Sequence, residues 1–474
     1  MTVPLRLQRV LPYLLLALFC VVSVRLRPLL PVDETRYLSV AWEMYLRQSF
    51  FVPTLNFAPY FHKPPLLFWL IDLAWIMFGV SRTAAVGVIF AISSSVIYLT
   101  QRLAKSLFPH IEGMAERMPW LMLGSAVFMI YSTLILFDLL LTACVLAATL
   151  FLLAFSKTGW LRHAALTGLC IGVGILAKGP VMLIHMACPI LLFPLWRDPT
   201  SNIPVRTYWL GLPLVLLTSI VPVAAWLGPA FAQTGLDFAY DLVWRQAAGR
   251  ISGSMEGAHA RPIYFYLLIL PVALIPWIFS ADVWRSKPWN RIFQGSDIET
   301  RDRKILLSLG LWCCVTLVIF SLISGKQPHY LVPLLPVLMI LFGYIMACVR
   351  FSVFPFTAAL MVAIFGIGQA IASLSVFNRY DLHGLGDFIA GKNNAEWAFA
   401  GHYQGEVTFL ARLQRQVEVV DKADANSWLE HHRNGYLIMR MRTLPMRTQR
   451  VAFSQRVERG YLVVFSGASL QMQQ

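Results

Sequence analysis

Two adjacent carboxylates, Asp33 and Glu34, stand about thirty positions ahead of the cluster Tyr60, His62, Lys63, Pro64 and Pro65, in the stretch PVDETRYLSVAWEMYLRQSFFVPTLNFAPYFHKPPLLFW. An acid, a base and a cation beside apolar runs make the composition of a reaction site at a membrane face. A solvated linker carrying a chance charge pair is the plainer reading, with Asp33 as the N-cap of a helix from Thr35 to Arg47. Lys63 sits between His62 and two prolines that stiffen the turn, so less entropy is lost in holding its charge in place. Asp138, in ILFDLLLT, lies between two long apolar runs. A carboxylate there needs a cationic partner from another loop.

Between the acids and Lys63, Arg36, Ser39, Glu43 and Arg47 recur at helical spacing against Tyr37, Val40, Ala41 and Met44. That pattern predicts an amphipathic helix lying in a membrane interface. The chain around it is 58% hydrophobic and 13% charged over 474 residues, with a mean hydropathy of +0.63, which predicts a polytopic membrane protein. Apolar runs able to cross about 30 Å of hydrocarbon lie near 10–26, 84–104, 119–137, 139–156, 163–177, 180–196, 208–230, 262–282, 305–324, 331–349 and 353–376. They give about eleven spans. The shorter segment 64–80 reads as a second interfacial helix. Arg6 and Arg9 ahead of a run with no small-residue cleavage site predict an uncleaved first span with a cytoplasmic N-terminus.

From that start, the Lys and Arg near the span ends place Arg102, Lys105, Lys157, Arg162, Arg197, Arg206 and the set from Arg285 to Lys304 on the cytoplasmic side. Loop 27–83, Asp138, loop 231–261, the Gly325–Tyr330 turn and the tail then share the opposite face. The formal charge of +15 is scattered among loops and does not form a stripe for nucleic acid. Anionic headgroups and a phosphate-bearing substrate account for it more simply. All seven cysteines fall in apolar runs without metal-ligand spacing, so no disulfide framework is expected. From Asn378 the apolar stretches Trp397–Ala400, Val417–Val420, Tyr436–Met439 and Tyr461–Phe465 alternate with helix-like segments at Gly405–Leu413 and Ala423–His432. They predict a small α/β domain outside the membrane, serving as a cap or an acceptor-docking module, so the domains expected are 1–377 and 378–474.

The order DE-x-RY, YF-x-KPPL, FD-x-x-LT at Asp138, AKGP at Ala177–Pro180 and SGKQPHYLVPLLP from Ser324 resembles the polyprenyl-phosphate-dependent glycosyltransferases of the GT-C fold. Within these it is most similar to bacterial relatives of the protein O-mannosyltransferases and of the aminoarabinose transferase that modifies lipid A. The resemblance implies a mainly α membrane protein in a bacterial inner membrane, with its site and C-terminus facing the periplasm. It further implies an undecaprenyl-phosphate-linked sugar as donor and an envelope acceptor such as lipid A, glycan or protein.

In such an inverting transferase a carboxylate takes the acceptor proton and cations hold the leaving phosphate. The resemblance makes Asp33 the base. Glu34 shares that work or orients Arg36, while Asp138 acts in catalysis or in a positioning ion pair. Lys63 matches the lysine that approaches the phosphate, and Arg36, Lys178, Arg245, Arg250, Lys326 and Tyr330 are the further groups available to it. For Lys326, His329 and Tyr330 the alternative is snorkelling to headgroups. His62 stands where the aminoarabinose transferases carry a metal-binding Glu, and His259 matches their partner histidine, which implies one divalent ion, zinc or magnesium. Equally, both histidines could simply hydrogen-bond loop carbonyls or the phosphate. A transporter or flippase for polyprenyl-linked lipids is the alternative function. It would be expected to show paired halves and Gly/Pro-broken spans at matching positions, and the sequence has neither.

Overall fold

The computed structural model describes residues 5–197, 201, 203–235, 261–285, 299–392, 394–445 and 451–470. The chain forms two compact units, one of Met1–Val21, Phe61–Leu67 and Thr83–Gly366, the other of Val22–Tyr60, Phe68–Arg82 and Ile367–Gln474. This division differs from the expected boundary at 377, because most of the first loop belongs to the unit that contains the tail.

In chain order the first helices are α1 (Leu5–Leu26), α2 (Asp33–Arg47), α3 (Leu66–Phe78), α4 (Arg82–Leu107), α5 (Met114–Gly124), α6 (Ala126–Tyr131), α7 (Asp138–Thr158), α8 (Leu161–Lys178), α9 (Val181–Leu191), α10 (Phe193–Trp196) and α11 (Val205–Thr234). Among the described residues eight helices are long and apolar enough to cross a membrane: α1, α4, α7, α8, α11, Thr300–Leu322, Pro328–Cys348 and Val353–Ser373. They match eight of the eleven expected runs.

The other three runs are broken. Run 119–137 divides into α5 and α6 at Ser125, whose backbone is extended. Run 180–196 divides into α9, which carries Pro189, and α10. Run 262–282 gives the short helix Phe265–Ala273, with Pro271 inside it, and then the 3-10 turn Trp277–Phe279 after Pro276. Proline lacks the N–H that continues a helix, and a hydropathy average does not register that loss.

In the first unit α8 packs against both α7 and α11. Gly168 and Gly172, four residues apart on α8, let the α11 backbone approach. A methyl at Gly168 would lie 2.2 Å from the Val215 carbonyl oxygen, and one at Gly172 2.4 Å from that of Ser219. Small residues at this spacing replace the hydrophobic drive that lipid removes between helices.

The second unit holds α2, a two-residue hairpin of β1 (Thr54–Leu55) and β2 (Ala58–Pro59), most of α3, and the tail. Asn56 and Phe57 have positive φ, as a tight hairpin turn demands. The Glu43 carboxylate accepts from the Asn56 and Phe57 N–H groups at 2.7 and 2.8 Å and from the Thr54 hydroxyl at 2.8 Å, which fixes the hairpin on α2.

The middle of the polar stripe of α2 therefore does not face water or headgroups, while Arg47 at its end is exposed. Ser39 and Glu43 are both fully buried. The Ser39 hydroxyl donates to the Gly405 carbonyl at 2.6 Å and accepts the Phe409 N–H at 3.0 Å, while Trp42 donates to the Leu413 carbonyl at 2.8 Å. Segment Gly405–Leu413, expected as helix, is instead a run of turns. Its residues Gly405 and Arg412 take positive φ, and a side chain at Gly405 would meet Leu55 at 2.6 Å. Here contacts to α2 override local helical pattern.

The tail carries β3 (Glu396–Ala400), β4 (Glu418–Val420), β5 (Gly435–Met441), β6 (Val451–Val457) and β7 (Gly460–Ser466) in the order β4-β3-β5-β7-β6. β3 runs parallel to β4 and β5, and β7 pairs antiparallel with β5 and β6. Trp397 and Phe399 pack in one core with Leu385 and Ile389 of helix His383–Ala390, and Ala398 and Ala400 pack in another with Trp428 and Leu429 of Ala425–His431. The alternation buries both faces of the central strand and makes the expected α/β domain. β6 was missing from the expected strands because its polar residues Ser454, Gln455 and Arg456 hide the apolar signal.

Candidate active site

In the first unit Asp138 opens α7 and Lys178 closes α8. The helices are consecutive and antiparallel, so this start and this end meet at one end of the pair. An acid at a helix N-terminus and a base at a C-terminus each suit the helix dipole. The two side chains form an ion pair and both are buried, which supplies the cationic partner that Asp138 was expected to need.

Two further segments, distant in sequence, converge on this pair. The Lys63 ammonium lies 5.7 Å from the ring centre of Phe137, next to Asp138. The Lys178 ammonium lies 5.2 Å from the ring of Tyr330. His329 and Lys63 are both close enough to act electrostatically on Asp138. Two lysines and an imidazole thus gather around the Asp138 carboxylate. His329, given only headgroup snorkelling as its alternative role, belongs to this cluster.

Lys326 is used differently. Its ammonium is buried and donates to the Arg261 carbonyl at 3.0 Å, while Gln327 and Tyr266 exchange hydrogen bonds of 3.1 and 3.2 Å in the same turn. Burial rules out snorkelling for this residue.

In the second unit the adjacent acids have opposite surroundings. α2 begins at Asp33 itself, with Val32 in the cap position and no side-chain cap, so the capping alternative for Asp33 does not hold. The Asp33 side chain is 58% exposed and pairs with Arg36 one helical turn on. Glu34 is 1% exposed and takes both guanidinium nitrogens of Arg27, one at 3.1 Å and the other closer, as well as the Leu30 N–H at 2.9 Å.

Glu34 is therefore committed to Arg27, and the expectation that it orients Arg36 is corrected. Arg36 is held by Asp33 and by the Gln404 side-chain oxygen at 2.6 Å. Arg27 escaped the sequence reading because it stands at the end of the first apolar run, where a basic residue needs no special explanation. Beside Arg36, burial pushes the Tyr37 phenol well above its ordinary value, and the charges of Asp33 and Tyr60 add to this. Tyr37 is a neutral donor at any physiological pH.

His62 is exposed. Among the described residues no group of three His, Cys, Asp or Glu side chains suited to a metal includes it. Arg245, Arg250 and His259 lie outside the described residues.

Comparison with known proteins bears on this arrangement. The model of the dolichyl-phosphate-mannose-protein mannosyltransferase family matches residues 62–226. An undecaprenyl phosphate-alpha-4-amino-4-deoxy-L-arabinose arabinosyl transferase of Photorhabdus laumondii is 27% identical over 347 residues, 71% of this chain and 60% of that protein. Its counterpart numbered 1 from Pseudomonas fluorescens is 28% identical over 316 residues, 65% of this chain and 52% of that protein. The chain thus spans 52 to 60% of the length of these two relatives.

The crystal structure of ArnT from Cupriavidus metallidurans bound to undecaprenyl phosphate superposes with a TM-score of 0.74 at 16% identity, over 96% of this chain and 97% of that one. The apo form of the same protein gives 0.72. The chain has the GT-C membrane fold of these transferases, and the resemblance read from its motifs stands.

Proposed function

We propose that this protein is an inverting glycosyltransferase that moves a sugar from undecaprenyl phosphate to a hydroxyl of an envelope acceptor, either lipid A, a glycan or a protein. One observation carries the reading: Lys63, Lys178 and His329 gather around the carboxylate of Asp138, a set of cationic donors of the kind that a phosphate needs. The names of the similar transferases support an undecaprenyl-phosphate donor, with aminoarabinose as the first sugar to try.

In this mechanism the Asp33 carboxylate takes the proton of the acceptor hydroxyl as its oxygen attacks the anomeric carbon. The bond from that carbon to the phosphate oxygen breaks with inversion, and undecaprenyl phosphate leaves with the electron pair. Lys63 meets the charge that grows on the phosphate. Lys178 shares its charge with Asp138, which keeps the ammonium from wandering. Arg36 orients Asp33. Lys326 holds the Gly325–Tyr330 turn that carries His329 and Tyr330. Arg245 and Arg250 are further cations for the phosphate. The site and the tail face the periplasm from the inner membrane, as the distribution of Lys and Arg at the span ends favours.

The test is transfer by the purified full chain in detergent, given undecaprenyl-phosphate-linked aminoarabinose and lipid A, with release of undecaprenyl phosphate read by mass spectrometry. Mass spectrometry of lipid A and envelope glycans from a deletion strain identifies the acceptor if lipid A fails. Lipid movement between the leaflets of proteoliposomes without any release of undecaprenyl phosphate would replace this reading with the transporter.

A further inference from the structure

His110, Glu299 and Asp302 belong to the first unit and play no part in the cluster around Asp138. His110 stands in the turn between α4 and α5. Glu299 precedes the spanning helix Thr300–Leu322, and Asp302 is in its first turn. The His110 Nε2 atom lies 2.9 Å from Asp302 Oδ2. One donor atom from each of the three residues falls within 4.8 Å of the others.

An ordinary His–Asp pair accounts for only part of this arrangement. Asp302 is 1% exposed, and its second oxygen, Oδ1, is buried with no hydrogen-bond partner among the described residues. A carboxylate oxygen without a partner in that setting is costly, and the cost is relieved by a cation. Arg301 and Arg303 flank Asp302 in sequence, but successive helix residues point about 100° apart. These neighbours are half-buried and exposed while Asp302 is buried.

We propose that His110, Glu299 and Asp302 bind a divalent first-row transition ion, zinc in the first instance, and that the ion ties the α4–α5 turn to the start of the Thr300–Leu322 helix. One imidazole nitrogen and two carboxylate oxygens form a mixed set that suits zinc or manganese better than calcium or magnesium, which take oxygen alone. The two carboxylates match the charge of the ion. Ligands at about 2.0–2.2 Å from zinc stand roughly 3–4 Å apart. The exposed side chains of Glu299 and His110 have to swing by only about 1 Å to close the shell, with water in the remaining positions. Buried Asp302 is the fixed point, and its unpartnered Oδ1 gains a partner.

The test uses the full chain purified in detergent without a histidine tag, stripped with chelator and then titrated with zinc chloride. Elemental analysis gives the stoichiometry, and competition with a chromophoric chelator gives the affinity. His110→Ala is expected to lose one equivalent of zinc relative to the unaltered chain, and Glu299→Gln to weaken that equivalent by at least about tenfold. Added zinc should raise the thermal unfolding temperature of the unaltered chain and leave that of His110→Ala where it was. Asp302→Asn should behave as His110→Ala, and if it does not fold the two exposed positions still decide. Equal zinc content and equal thermal shift in the unaltered chain, His110→Ala and Glu299→Gln would overturn the site. Neither outcome depends on transferase activity.

Discussion

Asp33 and Asp138 are both acids at the first residue of a helix, one in each unit, and the chain treats them in opposite ways. Asp138 is buried and spent on Lys178, with further positive charge crowding in from Lys63 and His329. Asp33 is exposed, while its neighbour Glu34 takes the buried partner Arg27. A buried ion pair holds geometry, because each charge is costly without the other. An exposed acid can meet a substrate and pass a proton on. On the mechanism proposed above, the Asp138 cluster would serve charge stabilisation and positioning, and Asp33 proton transfer.

The largest expected effect falls on the exposed acid. Asp33→Asn keeps size and hydrogen bonding but cannot take a proton, so transfer should fall by a factor on the order of 100 to 10,000 while folding and donor binding stay intact. Near-normal turnover would end the division of roles between Asp33 and Asp138.

Glu34→Ala should act on stability instead. It strands the Arg27 guanidinium, which is 5% exposed. A buried charge left unpaired typically costs about 3–5 kcal/mol, readable as a lower unfolding temperature in detergent. Glu34→Gln, which can still accept a hydrogen bond, should cost less. If instead Glu34→Gln abolished transfer without loss of stability, the two adjacent acids would share the proton after all.

Much of this contrast was legible before any coordinates. The apolar runs, the α/β tail and the need of Asp138 for a partner follow from residue type and spacing. Glu34 as the partner of Arg27 was not legible, because nothing in DE-x-RY says which of two adjacent acids turns inward. The buried polar stripe of α2 was hidden for a related reason. Ser39 and Glu43 at helical spacing look the same whether water or a tail segment more than 350 residues away satisfies them, as Gly405 does for Ser39. His329 was placed at the membrane interface by pattern, and only the approach of its own turn to Asp138 gives it another role.

Asp72 on α3 is a third kind of acid, buried but without a hydrogen-bond partner at either oxygen among the described residues. At thirteen residues α3 spans about 20 Å and is too short to cross a bilayer. Burial alone raises the Asp72 carboxyl from 3.8 to about 8. Because the folded value lies above the unfolded one, the folded chain keeps a proton that the unfolded chain releases between pH 4 and 8. Stability should therefore fall as pH rises through that window and level off above it.

At about 1.4 kcal/mol per pH unit the ceiling is roughly 6 kcal/mol, and relaxation around the charge should leave about 2 kcal/mol. Asp72→Asn should remove this dependence. The check is thermal unfolding at pH 5 and pH 8 for both proteins, and parallel behaviour of the two would mean that the acid finds a partner in the folded chain.

The smallest effect tests the cations beside Asp138. Lys178 is held in its ion pair, so the test falls on Lys63. Lys63→Ala should weaken donor binding by about tenfold, near 1.4 kcal/mol, without lowering the unfolding temperature. Lys63→Arg should recover only part of the loss, since a planar fork replaces a compact ammonium on a turn stiffened by Pro64 and Pro65. Donor affinity is read by titrating undecaprenyl phosphate into the detergent-solubilised chain at low and high salt. The loss should shrink at high salt, because screening weakens the contact in the unaltered chain as well. Equal affinity in the unaltered chain and Lys63→Ala would pass the phosphate to Lys178 or His329. The Asp138 pair would then be a holder of charge that opens when the donor arrives, and no longer a fixed strut.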